Sequence, residues 1–244
     1  MVFSECKFIT EIPDISRIPN LEKLYAFQCE SLVKVHDSVG FLDKLIALSF
    51  ARCYNLTSFP RSLKLRSLIF LDLRYCLKLQ NFPEIQCEMK YLNLLYLDNI
   101  AIKELPSSIM YFTGLYELSL KRCKNLVHLP SSILQLQHLK FLTLDECSKL
   151  VRLPTKEYVI PSSTVLFSSP SPVNSDIFND GCSSIGFQAL GALALENCTR
   201  LSKSDFIATR DCLSTLYRLN LSRSDVVSVP ACIKRFVSLR TLEL

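Results

Sequence analysis

Glycine and histidine are scarce in this sequence, and their scarcity excludes several classes of site. Five glycines in 244 residues form neither a G-x-x-x-x-G-K-[ST] phosphate loop nor a G-x-G-x-x-G turn, so no nucleotide site is encoded. The three histidines, His36, His128 and His138, have no nucleophile at the spacing of a catalytic motif. We therefore expect a protein that is not an enzyme and that holds no cofactor.

Long apolar runs and blocks of charge of one sign are also missing. No segment approaches 18 consecutive apolar residues, and residues 1–13 lack the basic start, apolar centre and small-residue cleavage site of a secretory signal. The formal charge is +5, but basic residues are interspersed with acidic ones. We expect neither a membrane nor nucleic acid as a partner, and a location in the cytoplasm or the nucleus.

Leucine, by contrast, is present at a regular spacing. A leucine opens the phrase L-x-x-L-x-[LFA]-x-x-[CNSI] eight times, and the end of the chain interrupts a ninth copy. Successive opening leucines lie 24, 23, 24, 23, 24, 51, 26 and 23 residues apart, which is the period of leucine-rich repeats. The nine are Leu21, Leu45, Leu68, Leu92, Leu115, Leu139, Leu190, Leu216 and Leu239.

The apolar spacing within each phrase predicts a short strand. Leu118 and Leu120 should point inward, and Glu117, Ser119 and Lys121 outward. One strand cannot bury its apolar face alone, so neighbouring copies must stack into a parallel sheet. We expect an α/β solenoid, a leucine-rich-repeat horseshoe with the sheet on its concave face and turns or short helices on its convex face.

An apolar residue three positions before each opening leucine should close the core from the convex side. These residues are Ile18, Leu42, Leu65, Met89, Phe112, Leu136, Phe187, Leu213 and Phe236. The Pro-Ser-Ser-Ile stretches at 106–109 and 130–133 predict turns that lead into short helical or extended segments. The copies opened by Leu92 and Leu216 are one residue shorter after the strand, which should tighten the turn there.

Seven of the eleven cysteines share one position of the repeat, three residues after the last inward residue of the strand. They are Cys6, Cys29, Cys53, Cys76, Cys123, Cys147 and Cys198. Because about one repeat separates them and no C-x-x-C pair occurs, they predict a ladder of buried structural thiols and no metal site. Ile100 and Ser224 replace cysteine in the two shorter copies. Buried thiols also favour a reducing compartment.

The outward strand positions should form a surface that binds proteins, because a solenoid stacks them into one face. Aromatic and arginine side chains are enriched at binding hot spots. The candidates on this face are Arg52, Phe70, Arg74, Tyr75, Tyr96, Lys121, Arg122 and Phe141. The alternative interpretation is that these are solvated strand residues that pair with one another across strands.

Residues 155–186 interrupt the repeats, which therefore divide into an array at 1–154 and a truncated array at 187–244. The step from Leu139 to Leu190 is 51 residues instead of 23 or 24, and the extra segment is rich in serine and proline. Such a composition predicts an irregular insertion without a core of its own. It is either a connecting loop or a contribution to the functional face.

Three features together resemble the C-terminal repeat region of plant intracellular immune receptors. They are the Cys-x-x-Leu phrase followed by an apolar-Pro pair, the segment AIKELPSSI at 101–109, and Leu219-Asn220-Leu221-Ser222 followed by Val229-Pro230. The similarity covers nearly the whole chain, and it is to the class with a Toll/interleukin-1 receptor (TIR) domain, a nucleotide-binding switch and then leucine-rich repeats.

That resemblance implies a sensor. In such receptors the repeats hold the switch inactive and help to recognise a pathogen effector, directly or through a guarded host protein. Neither upstream domain is in this chain, so the NADase activity and the nucleotide binding of the family are not implied for it. The expected partners are an effector, a guarded host protein, or the TIR and nucleotide-binding domains.

Both ends of the sequence interrupt a repeat. Residues from Cys6 onward complete a phrase whose strand should precede Met1, and Leu244 should stop within a strand. The polar capping repeats of a complete solenoid are missing. We therefore expect a fragment with exposed core at each end.

Two other classes of protein share this architecture. An extracellular receptor ectodomain would normally add a signal peptide, paired capping cysteines and a Gly-Ile-Pro phrase, all of which are missing, although glycosylation motifs begin at Asn55, Asn197 and Asn220. A stand-alone adaptor, such as the substrate-binding module of a ubiquitin ligase, would use the same concave face. A partner-docking domain in the full gene would favour the adaptor.

Overall fold

A computed structural model of the chain describes residues 1–154, 187–201, 213–225, 233–234 and 236–244. The predicted insertion at 155–186 lies outside these residues, as do Cys182, Cys212 and Cys232. The division of the chain at 154 and 187 therefore stays a prediction.

A parallel sheet of ten strands runs the length of the described chain, and its neighbours follow chain order. Its strands are β1 (Val2–Ser4), β3 (Lys23–Phe27), β5 (Ala47–Ser49), β7 (Phe70–Asp72), β9 (Leu94–Tyr96), β10 (Glu117–Ser119), β11 (Phe141–Thr143), β12 (Ala192–Ala194), β13 (Arg218–Asn220) and β14 (Thr241–Glu243). The predicted leucine-rich-repeat solenoid, with its parallel sheet on the concave face, is confirmed.

Every strand lies in register with its neighbours because each repeat carries the same alternation of inward and outward residues. Leu118 of β10 pairs with Leu95 of β9 and Leu142 of β11. Leu118 and Leu120 are both 0% exposed, as the period-2 pattern predicts. The equivalent leucines stack into one core along the solenoid, and each buried side chain contributes roughly 1.5–3 kcal/mol relative to an exposed one.

Short 3₁₀ helices and two-stranded pairs lie on the side of the repeats away from the main sheet. The helices are Asp37–Phe41, Ser107–Tyr111 and Ser131–Gln135, and the pairs join β2 (Glu11–Ile12) to β4 (Lys34–Val35) and β6 (Ser62–Leu63) to β8 (Glu84–Ile85). The second and third helices follow Pro106 and Pro130, whose φ angles of −68° and −65° are those that the proline ring holds. The short helical segments predicted after these prolines are thus confirmed.

The apolar residues expected to close the core are at most 4% exposed at eight of the nine positions. Ile18 is the exception at 41% exposed, so the expectation was wrong there. A closing residue such as Leu65 or Met89 lies between the equivalent residues of two neighbouring repeats. Residues 1–17 contain no equivalent residue to cover Ile18 on its outer side.

The two outermost strands also correct the sequence-based expectations. The first repeat does contain a strand, since β1 pairs Val2 with Tyr25 and Phe3 with Ala26. The last strand, β14, ends at Glu243, so Leu244 lies beyond it. The leucine phrase did not predict β1, because the half-buried Phe3 is the one inward apolar residue of that strand. The strand is defined by its pairing with β3.

Candidate functional site

The middle of the sheet face carries an aromatic and charged group of side chains, the central cluster, formed by Phe70, Asp72, Arg74 and Tyr96. Phe70 and Tyr96 come from the neighbouring strands β7 and β9, and their rings meet edge to face with centroids 5.9 Å apart. The Arg74 guanidinium carbon lies over the Tyr96 ring, 4.9 Å from its centroid. A stacked cation of this kind is held in place by two repeats at once.

The Asp72 carboxylate holds the Arg74 side chain in one orientation. Its carboxylate accepts bonds from Arg74 Nε at 3.0 Å and Nη2 at 2.8 Å, and from the Arg74 backbone N–H at 3.0 Å. Asp72 is only 3% exposed, and a buried carboxylate is stable only when its oxygens are paired. The bond to Asp72 is the main cause of the raised pKa of Arg74. The guanidinium is therefore fixed before any partner arrives.

Next to the central cluster, a line of residues with left-handed backbone runs along the edge of the sheet where the strands end. This left-handed line consists of Glu5, Gln28, Arg52, Tyr75, Asn99, Arg122, Glu146, Asn197 and Arg223, with φ between 53° and 62°. Each backbone N–H of the line from Glu5 to Asn197 donates to a carbonyl of the following repeat, as Arg52 does to Arg74 at 2.7 Å. These bonds compensate a conformation that costs roughly 1–2 kcal/mol per ordinary residue.

The side chains of the left-handed line contact one another across repeats. The Arg52 guanidinium carbon lies 5.6 Å from the ring centroid of Phe27 and 5.9 Å from that of Tyr75. Further along, Arg122 Nε donates to Glu146 Oε2 at 2.9 Å. The pKa of Arg122 is raised, first by this bond and to a smaller extent by Tyr75. Within the line, Arg52 is thus joined to Tyr75 by stacking and Arg122 to Glu146 by an ion pair, while Phe27 contacts Arg52 from outside the line.

Two acidic side chains, each directly before a member of the left-handed line in the sequence, are covered by their neighbours. Asp98 accepts bonds from the Ser119 hydroxyl and from the Lys121 backbone N–H, and burial raises the pKa of its carboxyl. Burial likewise raises the pKa of Asp145, which lies 3.8 Å from Lys121 Nζ. These carboxylates support the basic side chains and contribute little exposed negative charge.

Phe141 belongs to a separate contact. Its ring packs edge to face on Tyr116, with centroids 5.3 Å apart, and Lys140 Nζ lies 5.9 Å from the Tyr116 centroid. The eight candidate residues therefore fall into a central cluster with Phe70, Arg74 and Tyr96, a left-handed line with Arg52, Tyr75 and Arg122, and the outlying Lys121 and Phe141.

Some outward strand positions are less accessible than the alternation predicts. Ser49, Asp72 and Ser119 are 8%, 3% and 8% exposed. Asp72 is bonded to Arg74, and the Ser119 hydroxyl is bonded to Asp98. The sequence pattern also missed Asp72, Phe27 and Tyr116 as partners of the candidates. Asn99 and Asn197 were the only sequence signal of the left-handed line, since asparagine tolerates positive φ.

Six of the repeat cysteines, those from Cys29 to Cys198, are 0% exposed. The Cys123 thiol lies 3.1 Å from the carbonyl oxygen of Leu97 in the preceding repeat, and Cys53 and Cys147 make the equivalent contacts at 3.0 and 3.2 Å. Burial raises the pKa of Cys53, Cys123 and Cys198 to about 12, so these thiols stay protonated and can donate. Ile100 occupies the same place in a shorter repeat and is 2% exposed.

The histidines serve local structure. His36 accepts a bond from the Ser38 backbone N–H at 3.1 Å and so caps the first 3₁₀ helix. His128 lies 3.5 Å from Glu104, and His138 lies 2.8 Å from the carbonyl oxygen of Thr113. Within the described ranges, no group of three or more His, Cys, Asp or Glu side chains could hold a metal ion. In that same part of the chain, no helix is long and apolar enough to cross a membrane.

Comparison with known proteins decides the family. The family described as "Disease resistance protein RPS4B-like, leucine-rich repeats" matches residues 64–244. The chain belongs to this family. The resemblance to the repeat region of plant immune receptors is thereby confirmed, and the match is to leucine-rich repeats, which are not a catalytic domain.

Several plant resistance proteins are similar to parts of the chain. TMV resistance protein N of Nicotiana glutinosa is 40% identical over 122 residues, which are 50% of this chain and 11% of that protein. Protein SUPPRESSOR OF npr1-1, CONSTITUTIVE 1 and disease resistance protein RPP4, both of Arabidopsis thaliana, are 38% identical over 125 residues and 46% identical over 89 residues. These alignments cover 51% and 36% of this chain and 8% of each relative. The matched part is thus about a tenth of the length of these relatives.

A solved structure shares the fold. The leucine-rich repeat domain of the type III effector XopL superposes with a TM-score of 0.71, covering 99% of this chain and 75% of that one. The two are 21% identical, so the likeness concerns the fold alone.

Proposed function

We propose that this chain is the protein-binding sensor part of an intracellular plant immune receptor. The observation that carries the proposal is the family match over residues 64–244, because that family consists of the repeats of disease resistance proteins. The fold supports it, since solenoids bind partners through the stacked residues of their concave sheet. In this role the chain performs no catalysis of its own.

The binding surface in this proposal is the central cluster together with the left-handed line. From the cluster and the line it takes Phe70, Arg74, Tyr96, Arg52, Tyr75 and Arg122, and it adds the outlying Lys121 and Phe141. The contacts of Arg74 with Asp72 and Tyr96 hold one member in place before binding, which reduces the side-chain entropy lost on association. The same contacts are also compatible with ordinary cross-strand pairing, so the assignment needs a direct test.

The partner in this proposal is a protein. It is a pathogen effector, a guarded host protein, or the TIR and nucleotide-binding domains that the repeats keep inactive. The site of action is the cytoplasm or the nucleus.

The first experiment is to sequence the full-length transcript upstream of the codon for Met1. A nucleotide-binding switch encoded in frame supports the sensor role. A partner-docking domain of a ubiquitin ligase in that place would contradict it and favour a stand-alone adaptor.

The second experiment tests the surface with this chain and the nucleotide-binding region of the full-length protein expressed as two separate polypeptides. Replacing Arg74, Tyr96 and Arg122 together with Ala should weaken co-precipitation of the nucleotide-binding region at least tenfold, as expected when hot-spot side chains are truncated. The matched control replaces Arg61, Tyr111 and Arg152, which lie off the sheet face. Equal binding by the two triple variants would contradict the assignment.

Folding must be checked in the same experiment. Arg74→Ala leaves the buried Asp72 carboxylate without its partner, and this costs stability. The double variant Tyr96→Ala with Arg122→Ala keeps that ion pair and should retain the circular-dichroism spectrum and thermal midpoint of the parent. A loss of binding in the double variant therefore reports on the surface and not on unfolding.

A further inference from the structure

Arg52 differs from the other arginines that extend from the sheet face and the left-handed line. Arg74, Arg122, Arg218 and Arg223 each lie within 3.8 Å of a carboxylate oxygen. Among the described residues, no carboxylate oxygen lies within 4.0 Å of the Arg52 guanidinium. Its charge is thus uncompensated at close range on a surface where charge pairing is otherwise the rule.

Aromatic rings occupy the place that a carboxylate takes elsewhere. Phe27 and Tyr75 flank the Arg52 guanidinium from the two neighbouring repeats, at 5.6 and 5.9 Å from the ring centroids. Stacking of this kind uses the faces of a guanidinium and leaves the N–H groups at its edge available. Phe27 remains 39% exposed and adds an apolar rim to the charged group.

The backbone at Arg52 is also fixed. Its φ is 61°, and its N–H donates to the Arg74 carbonyl at 2.7 Å. A left-handed arginine is an uncommon choice at a position where asparagine or glycine is less strained. The side chain therefore projects from an anchored point between two rings, which is the arrangement of a prepared anion-binding group.

We propose that Arg52, flanked by Phe27 and Tyr75, binds a single carboxylate of a protein partner, one carried by an Asp or Glu side chain that is followed by an aromatic or aliphatic residue. This inference rests on the proposed protein-binding function and names the partner chemistry of one part of the surface. The guanidinium donates two parallel N–H bonds to the carboxylate, and the rings contact the neighbouring apolar side chain.

The charges around Arg52 favour a monoanion over a phosphate. Asp72 neutralises Arg74, and Glu146 neutralises Arg122, so neither offers a second cation for a dianion. A carboxylate matches the single charge of the Arg52 guanidinium. The site consequently selects a short acidic and apolar peptide segment.

Titration of the chain with a peptide pair tests the proposal. The probe is an acetylated peptide amide with one aspartate between two phenylalanines, and its twin carries asparagine in place of aspartate. Because a single contact is weak, the readout is the guanidinium Nε–Hε resonance in a nitrogen-15 spectrum, which detects weak binding. The Arg52 signal should move with the acidic peptide, while the Arg122 signal, already bonded to Glu146, should move much less.

Two variants complete the design, and because they lack the Arg52 Nε–H group, their binding is followed by the backbone amide resonances of Phe27 and Tyr75, which are recorded for the parent as well. Arg52→Asn preserves the left-handed backbone, because asparagine tolerates positive φ, and should weaken binding about tenfold or more, as the loss of charged hydrogen bonds implies. Arg52→Lys keeps the charge but loses the planar fork, and should bind more weakly than the parent.

The outcomes are decisive in either direction. Equal binding of the acidic peptide and its amide twin, or equal binding by Arg52→Asn and the parent, would overturn the carboxylate site. The experiment needs no receptor activity, so its failure would leave the sensor role to be judged by the transcript and by the triple variant.

Discussion

At the scale of single residues, buried cysteines connect one repeat to the preceding one through a bond from the thiol to a backbone carbonyl oxygen. The thiols of Cys53, Cys123, Cys147 and Cys198 each lie 3.0–3.2 Å from a backbone carbonyl oxygen of the preceding repeat. A buried carbonyl needs a donor, and a protonated thiol is a small and largely apolar one. Cysteine therefore fits this position without the cost of burying a strongly polar group.

The raised thiol pKa values predict a dependence of stability on pH. Burial raises the pKa of Cys53, Cys123 and Cys198 from 9.0 to about 12, so the folded chain retains protons that the unfolded chain releases. Their contribution to the free energy of unfolding is fully present below pH 9 and is lost as the pH rises towards about 12. Urea unfolding across this range should show the decline, and Cys123→Ser should make it shallower.

The same protonation predicts selective reactivity. At about pH 8, the half-buried Cys87 should react with iodoacetamide before the ladder cysteines Cys76 and Cys123, because the thiolate is the reactive form. Mass spectrometry of the labelled peptides gives the order, and denaturant should abolish the difference. Fast labelling of Cys123 in the folded chain would contradict the buried assignment.

At the scale of elements, the three 3₁₀ helices differ in the hydrogen bonding of the serine hydroxyl at their second position. Ser38 Oγ accepts the Ile15 N–H at 3.0 Å, and Ser108 Oγ accepts the Ile85 N–H at 2.9 Å, each from the preceding repeat. Ser132 is the equivalent in the third helix, where its buried Oγ has no hydrogen-bond partner among the described residues. An unsatisfied buried hydroxyl costs about 1–3 kcal/mol.

This difference predicts opposite effects of the same substitution. Ser132→Ala should raise the free energy of unfolding by about 1 kcal/mol, because it removes an unsatisfied hydroxyl. Ser108→Ala, the matched control, should lower the free energy of unfolding by about 1 kcal/mol, because it leaves the Ile85 N–H without its acceptor. Urea unfolding of the two variants beside the parent decides the matter, and a loss of stability in both would show that the Ser132 hydroxyl is satisfied.

At the scale of the whole molecule, each repeat contacts its neighbours in sequence order. The strand order from β1 to β14 follows the chain, and within the described ranges no strand is inserted between distant repeats. Stability in such an array is close to a sum of repeat and nearest-neighbour contributions. Damage to one repeat should therefore spread a limited distance along the sheet.

A cavity in the middle of the array tests this locality. Leu118→Ala should reduce the free energy of unfolding by about 3 kcal/mol, the usual cost of a buried leucine. Hydrogen exchange should accelerate most in β9, β10 and β11 and least in β3 and β13. Uniform acceleration across all ten strands would show that the solenoid unfolds as a single cooperative unit.

The predictability of this protein from its sequence follows from where its contacts lie. Leu118 and Cys123 were assignable because every repeat places the same residue type at the same register, so pattern and burial coincide. The strand β1 and the exposure of Ile18 were not assignable from the sequence, because the pairing of the strand and the covering of the side chain depend on which repeat lies beside them. Ser49 and Ser119 also depart from the alternation rule, since both are 8% exposed at positions that the rule assigns to the solvent.

The candidate surface shows the same division. The sequence by itself determined the solenoid, its leucine core and the side of the sheet that carries the candidates, because these depend only on spacing. The tertiary structure decided that Arg74 lies between Asp72 and Tyr96 and that Phe141 pairs with Tyr116. It also decided that Arg52 has aromatic neighbours and, in the part of the chain that the structure describes, no carboxylate oxygen within 4.0 Å. Apart from the local bond of Arg74 to Asp72, these contacts join residues of neighbouring repeats, where rotamers and the identity of the facing side chain outweigh any periodic pattern.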